Sequence, residues 1–256
     1  MKTKQDIVRG WLPRYTGRKL KDFEKYILLT NFSHYVNLFA AKHKVKVMGK
    51  DKPMESASAA GITIINFGMG SSNAATIMDL LTAIKPKAVL FLGKCGGLKR
   101  KNKLGDLVLP IGAIRGEGTS TSYMLPEVPA LPAFHLQKAV STSIRKKKKD
   151  YWTGTVYTTN RRVWEHDAEF KKYLRQTRSM VIDMETATLF TAGFANEIPV
   201  GALLLVSDQP MISEGVKTAE SDKRVSDKFL NMHLQIGIDA CNELKNKGTS
   251  VKHLKF

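Results

Sequence analysis

The sequence predicts an α/β protein with a parallel-type β-sheet, a sizeable core and a single domain, and three observations lead to these predictions in turn. Short apolar runs of strand length alternate along the chain with longer amphipathic stretches of helical period. Hydrophobic residues make up 43% of the 256 residues, enough for a sizeable core. Neither a repeat nor a linker interrupts the pattern, so we expect a single domain over residues 1–256 with its core at about residues 25–245.

Each element follows from its local pattern, taken in chain order. Strands are predicted at residues 25–30 (KYILLT), 61–67 (GITIINF), 88–92 (AVLFL), 151–158 (YWTGTVYT) and 201–207 (GALLLVS), with a weaker one, LVLP, within residues 103–110. Helical patterns cover residues 73–84, 185–196 and 225–246. Residues 126–132 (PEVPALP) are predicted to form a loop, because proline interrupts regular structure.

The charge of the chain narrows the classes of partner. Lys and Arg number 41 against 23 Asp and Glu, and the resulting net charge of +18 favours an anionic partner such as nucleic acid, an anionic membrane or a phosphorylated small molecule. The basic runs at residues 145–149 (RKKKK) and 99–103 (KRKNK) are more typical of a solvated surface. No zinc-finger spacing, RNP motif or basic heptad occurs, so nucleic acid is disfavoured as a partner.

Other sequence features bear on location and cofactors. No apolar stretch approaches about 18 residues, and no signal-peptide pattern follows the N-terminus, so we expect a cytoplasmic protein with no membrane partner. Cys95 and Cys241 are too far apart in sequence for a CxxC motif and are expected to be free thiols. The histidines lack ligand-like spacing, so neither a metal nor another cofactor is expected.

A ligand site is expected where the predicted strands end. In parallel-type sheets, ligands bind in the loops that follow the carboxyl ends of the strands. Five predicted strands end near residues 30, 67, 92, 158 and 206, and small or polar residues follow each of them. These five ends can therefore converge on one cleft.

Two glycine-rich segments follow predicted strands. Residues 68–72 (GMGSS) precede a helix, where the backbone amides around Gly70 could face an anion or a ribose oxygen, although a tight turn is the simpler interpretation. The third glycine of a dinucleotide fingerprint is absent. The segment from Gly93 to Gly97 (GKCGG) lacks the spacing of a Walker A loop, but Lys94 at the end of a strand could hold a phosphate.

Two acidic residues follow apolar or helix-forming elements. Asp208 ends the most hydrophobic predicted strand, where it either caps a turn or serves as a general acid in a cleft. Glu185 begins a predicted helix, where capping is the default explanation. The pair indicates chemistry only if the two elements converge.

Six motifs, in this order, resemble the nucleoside phosphorylase/nucleosidase superfamily and, within it, the AMP nucleosidases. They are GMG (68–70), GKCGG (93–97), GDLVLPIGAIRGEGTS (105–120), TGTVYTTNRR (153–162), DMETATLF (183–190) and LLVSDQPMISEGVKT (204–218). The similarity extends over roughly residues 25–245. It implies a three-layer domain with a central mixed, largely parallel sheet flanked by helices.

The resemblance also implies roles for individual residues. Glu185 occupies the position that binds the ribose 2′- and 3′-hydroxyls, and Met184 the position that packs against the sugar and base. Asp208 occupies the position of the acid that protonates the purine at N7, with Ser207 beside it. Both acids would act where charge develops during glycosidic cleavage.

The sequence departs from the phosphorolytic members of this superfamily. By approximate alignment, residues 30–34 (TNFSH) and 91–96 (FLGKCG) lack the two arginines that bind orthophosphate there. This loss favours water as the nucleophile. Other donors could instead hold a 5′-phosphate, and the candidates are Lys94, Arg115, Thr119, Ser120, Arg161 and Arg162. His34 is a further candidate for substrate binding, although an ordinary loop histidine is the alternative.

The expected activity is therefore hydrolysis of AMP to adenine and ribose 5-phosphate, as part of AMP salvage. The alternatives are phosphorolysis of a purine nucleoside and, with less support, a basic nucleic-acid-binding protein on an enzyme-like scaffold. The resemblance implies a homo-oligomer, with a hexamer as one of the forms that the family takes. It also implies a short form without the N-terminal regulatory region of longer members, since about 25 residues precede the first predicted strand.

Overall fold

The computed structural model of the protein describes residues 2–246. Within that range the chain forms one mixed sheet and seven α-helices. The strands are β1 (Tyr26–Thr30), β2 (Ser56–Ala59), β3 (Ile62–Asn66), β4 (Ala88–Gly97), β5 (Leu107–Gly116), β6 (Trp152–Thr159), β7 (Val181–Asp183) and β8 (Val200–Asp208). The helices are α1 (Lys4–Thr16), α2 (Ser33–His43), α3 (Ser71–Leu81), α4 (Phe134–Lys146), α5 (Ala168–Gln176), α6 (Thr186–Ala195) and α7 (Ala219–Asn246).

The sheet closes on itself over part of its width. Its strand order is β2-β3-β1-β4-β7-β6-β5-β8, and β8 pairs again with β4, so that β4, β7, β6, β5 and β8 form a five-stranded barrel. Five pairings are parallel, and β2–β3, β4–β7 and β5–β8 are antiparallel. Helices flank this mixed, largely parallel sheet, which confirms the predicted fold class.

Apolar side chains are buried on both faces of the central strands. Along β8, Leu204 and Val206 pack into one hydrophobic cluster, while Leu203 and Leu205 pack into the other. Because both faces are covered, the strand reads as a continuous apolar run rather than as an alternating pattern. Burial of each such side chain contributes roughly 1.5–3 kcal/mol to folding. The strand is therefore a rigid support for the polar residues at its end.

The glycine-rich segment that follows the predicted strand at residues 88–92 is not a loop. Strand β4 continues through it to Gly97, because Gly96 and Gly97 pair with Ile182 and Val181 of β7. A Cβ atom at Gly93 would lie 2.4 Å from the ring of Phe91, so glycine is needed there for packing. The prediction of a glycine loop was wrong because strand closure is a tertiary effect.

No helix within residues 2–246 has the length and apolarity needed to cross a bilayer.

Candidate active site

One cleft opens where several strands of the sheet end. Its volume is about 280 Å³, near the lower limit for small-molecule sites. Its lining includes Asn31 and Phe32 after β1, Met69 after β3, Lys94 to Gly96 in β4, Thr159, Arg161 and Arg162 at the end of β6, Asp183 to Glu185 at the end of β7, and Asp208 at the end of β8. The strand ends singled out in the sequence therefore meet, and β7, which the sequence did not predict, joins them.

Glu185 lies between β7 and α6 with its carboxylate facing the cleft. The side chain is 2% exposed. Its Oε1 accepts a hydrogen bond from the backbone N–H of Gly70 at 2.7 Å, and its Oε2 accepts one from Met184 at 3.2 Å. Burial, reinforced by the nearby charge of Asp183, raises the pKa of Glu185 to about 8. The site thus holds a carboxyl group whose charge depends on pH in the physiological range.

Asp183, rather than Glu185, caps helix α6. Its Oδ2 accepts hydrogen bonds from the backbone N–H and the hydroxyl of Thr186, and its Oδ1 accepts one from Thr158 at 2.7 Å. Burial raises the pKa of Asp183. Glu185 makes no side-chain capping bond to the helix. The default capping explanation therefore applies to its neighbour, and Glu185 is available to the cleft.

Asp208 is the last residue of β8 and faces the same cleft. Its Oδ1 accepts a hydrogen bond from the hydroxyl of Ser207 at 2.7 Å and lies 3.5 Å from Lys217 Nζ. Ser207 is fully buried, and its hydroxyl also lies 3.3 Å from the carbonyl oxygen of Cys95. Ser207 therefore orients Asp208 and lies outside the lining of the cleft. The two acids singled out in the sequence share one cavity.

Lys94 lines the cleft, but its ammonium group already has partners. Nζ donates to Asp222 Oδ1 at 2.9 Å and to the hydroxyl of Ser226 at 2.8 Å, and it lies 4.5 Å from the centre of the Phe32 ring. Its side chain is 3% exposed, and burial lowers the pKa of Lys94. Lys217 Nζ lies 3.6 Å from Asp222 as well as near Asp208. Two lysines and two aspartates therefore alternate along this side of the cleft.

Lys217 and Asp222 are cleft residues that the sequence analysis did not single out. Lys217 belongs to the EGVKT part of a motif that carried the resemblance, so its motif was noticed while its role was not. Asp222 lies in the first turn of α7, a helix predicted to begin later, at residue 225. Asn31 also lines the cleft, and its buried Oδ1 has no hydrogen-bond partner among residues 2–246. Asn31 therefore offers a free acceptor beside Glu185.

Two arginines lie on the outer rim of the cleft. Arg161 and Arg162 follow β6, and their side chains are 45% and 54% exposed. Arg161 donates to Asp167 at 2.8 Å and stacks over the Phe170 ring at 4.8 Å. Arg162 lies 3.7 Å from Glu165. Both guanidinium groups thus keep solvent-facing donors at the entrance.

Arg115 is not brought into the cleft. Its guanidinium group donates to the Ser120 hydroxyl at 2.8 Å and to the backbone carbonyls of Met124, Leu125 and Val128. Arg115 therefore fastens the segment that follows β5 and has few donors left for a ligand.

The remaining residues that the sequence predicted for the site differ in whether they reach the cleft. Thr119 pairs its hydroxyl with that of Ser71 at 2.8 Å, at the start of α3. His34 is exposed in the first turn of α2 and does not line the cleft. Gly70 reaches Glu185 through its backbone N–H, and its φ of 93° is a conformation that glycine adopts at little cost. Met184 lines the cleft directly after β7.

Comparison with known proteins assigns the chain to a family. A profile of the phosphorylase superfamily matches residues 25–241. The chain is 29% identical to AMP nucleosidase of Escherichia coli strain K12, over 98% of this chain and 61% of that protein, so it spans about three fifths of that relative's length. It is 27% identical to a guanosine phosphorylase of Halorubrum lacusprofundi, over 65% of this chain and 68% of that protein.

Two solved structures resemble the chain to different degrees. The crystal structure of AMP nucleosidase from Bacteroides thetaiotaomicron superposes with a TM-score of 0.87 and 59% identity, covering 95% of this chain and 98% of that one. Uridine phosphorylase from Vibrio fischeri superposes with a TM-score of 0.76 and 21% identity, covering 89% of this chain and 95% of that one. The second similarity reflects the shared fold alone.

Proposed function

Because the chain belongs to the phosphorylase superfamily, we propose that it hydrolyses the N-glycosidic bond of AMP, releasing adenine and ribose 5-phosphate. The observation that carries the proposal is that Glu185 and Asp208, at the ends of β7 and β8, line one small cleft. Similarity to the AMP nucleosidases of E. coli and B. thetaiotaomicron supports the choice of substrate, and the phosphorylase relatives are more distant.

The proposed chemistry assigns one task to each acid. The carboxyl group of Glu185 accepts hydrogen bonds from the ribose 2′- and 3′-hydroxyls, and Met184 packs against the sugar and base. Asp208 gives a proton to N7 as the electron pair of the C1′–N9 bond moves onto the purine. A water molecule then bonds to C1′ and releases a proton to the solvent, and Asp208 takes up a proton from the solvent to restore the acid. Both acids stabilise an oxocarbenium-like transition state.

We place the 5′-phosphate at the rim of the cleft, on Arg161 and Arg162. Half-exposed guanidinium groups can exchange a surface ion pair for a phosphate at little cost, because exposed pairs are worth only about 0–1 kcal/mol. Arg115 and Lys94, also candidates from the sequence, already hold buried or multiple partners. The set of residues that we propose for the 5′-phosphate is thus smaller than the set of candidates from the sequence.

Product analysis tests the proposed function. AMP, IMP and adenosine are incubated with the protein, with and without orthophosphate, and the products are separated by chromatography. We expect adenine and ribose 5-phosphate from AMP in the absence of orthophosphate. Strict dependence on orthophosphate with formation of ribose 1-phosphate from adenosine would instead indicate a nucleoside phosphorylase. Salt-sensitive binding of RNA or DNA without base release would indicate the nucleic-acid alternative.

The chain is further proposed to act as a single catalytic domain and as a homo-oligomer. One continuous sheet carries both acids and the rim arginines, which supports a single domain. Four large apolar side chains, those of Ile111, Leu125, Leu131 and Phe134, are exposed along β5 and the segment after it. Such side chains are typical of a surface covered in an assembly. Light scattering coupled to gel filtration measures the assembly, and a monomeric mass contradicts it. A cytoplasmic location and a role in AMP salvage remain predictions.

A further inference from the structure

The inner side of the cleft contains two lysine side chains that would attract an anion. Lys94 and Lys217 are the more buried cations of the lining, with side chains 3% and 23% exposed. Coulombic attraction to an anion is stronger where water is displaced. An orthophosphate that entered the cleft would therefore be drawn to this pair more strongly than to the half-exposed rim arginines.

Asp222 occupies the space that such an anion would take. Its Oδ1 lies 2.9 Å from Lys94 Nζ and 3.6 Å from Lys217 Nζ, so one carboxylate oxygen contacts both ammonium groups. The two lysines also face Asp208, which lies 3.5 Å from Lys217. Asp222 therefore offsets part of the positive charge that the two lysines place in the inner cleft.

The network is held by the fold. Asp222 lies in the first turn of α7, and Ser226, one turn further along, donates its hydroxyl to the Asp222 carbonyl while accepting a hydrogen bond from Lys94. The Phe32 ring covers another side of the Lys94 ammonium group. An anion could bind Lys94 only by displacing a carboxylate that the helix already presents. The Lys94 ammonium group is almost fully buried, so orthophosphate has to compete directly with the Asp222 carboxylate for it.

We propose that Asp222 is a specificity-determining residue that excludes orthophosphate from the inner cleft by occupying Lys94 and Lys217. The inference rests on the proposed function for its consequence: with orthophosphate excluded, water is left as the nucleophile for C1′. The substrate's own phosphate remains on the rim arginines, outside the network. The rim therefore binds the phosphate of the nucleotide, while Asp222 prevents free orthophosphate from binding beside the sugar.

Direct binding of orthophosphate tests this proposal without AMP turnover. Isothermal titration of orthophosphate is compared between the wild type, Asp222→Asn and Asp227→Asn at pH 7. Asp227 lies on the same helix and is exposed, so it controls for the loss of one negative charge. We expect Asp222→Asn to bind orthophosphate at least about tenfold more tightly, the lower end for close charge pairs at interfaces. Asp227→Asn should match the wild type.

A second variant locates the gain and guards against misfolding. In Lys94→Met/Lys217→Met/Asp222→Asn both cations are removed with their shared partner, and the gained affinity should disappear. If Asp222→Asn unfolds, Asp222→Ser replaces it, with the same expectation. Equal orthophosphate affinity in the wild type and a folded Asp222 variant overturns the proposal, and so does a gain that survives the loss of both lysines. Failure to hydrolyse AMP would refute the proposed function, but the orthophosphate binding comparison would still test the role of Asp222.

Discussion

Replacing Asp208 by asparagine removes the proposed acid while keeping the shape of the side chain. The amide oxygen of the new side chain can still accept the hydrogen bond that Ser207 donates at 2.7 Å, but the ionic attraction to Lys217 at 3.5 Å is lost. A hydrogen bond to a charged group contributes about 1.5–3 kcal/mol. Unfolding typically costs about 5–15 kcal/mol, so the variant should remain folded.

The kinetic effect should be much larger than the effect on folding. A positioned general acid accelerates a reaction by about 10²–10⁴-fold, which corresponds to roughly 3–5 kcal/mol of activation free energy. We therefore expect kcat for AMP to fall by that factor, while KM changes by only a few-fold because Glu185 and the rim arginines are intact.

Adenine release followed by chromatography measures kcat and KM, and circular dichroism checks that the variant is folded. Asp150→Asn is the matched control, because the Asp150 side chain is fully exposed and lies outside the cleft. A folded Asp208→Asn variant with kcat within about threefold of the wild type would refute the role of Asp208.

Three further predictions concern other residues of the chain. Glu185 has a pKa raised to about 8 in the folded protein, so its contribution to stability is present at low pH and is lost as the pH rises through 8. Glu185→Gln cannot ionise, and in thermal melts it should therefore gain stability relative to the wild type between pH 5 and 9. A constant difference would contradict this. The double variant Arg161→Gln/Arg162→Gln should raise KM for AMP by about tenfold or more and leave adenosine turnover unchanged; an unchanged KM places the phosphate elsewhere. Arg115→Ala should lower the free energy of unfolding by about 1–3 kcal/mol, measured with urea, with KM for AMP unaltered, and a raised KM at normal stability would restore Arg115 to the phosphate site.

The sequence predicted the strands that support the site better than the elements around them. Strands β1, β3 and β8 were predicted to within about two residues, because burial on both faces leaves a continuous apolar pattern. Strand β6 was predicted as closely from its β-branched and aromatic residues. Helices α1, α2, α4 and α5 and the short strands β2 and β7 were not predicted. Strand β7 has three residues, too few to show any period, and tertiary pairing with β4 and β6 defines it.

The candidate site was predicted only where local motifs mark its residues. Glu185 and Asp208 belong to recognisable motifs near the ends of strands, and the structure brings them to one cleft. Arg115 lay in a motif too, but its partners are backbone carbonyls of a loop whose path no local pattern indicates. Asp222 was missed because nothing in a helical sequence shows which lysine, distant in the chain, its carboxylate will contact.

We propose that one cleft holds a nucleotide between Glu185 and Asp208, and a crystal structure with a C-glycosidic analogue of AMP examines this placement. We expect Glu185 oxygens within hydrogen-bond distance of the 2′- and 3′-hydroxyls, and Asp208 within that distance of N7. The 5′-phosphate should contact Arg161 or Arg162. An analogue bound outside this cleft, or bound in it with its sugar away from Glu185, would refute the proposed placement.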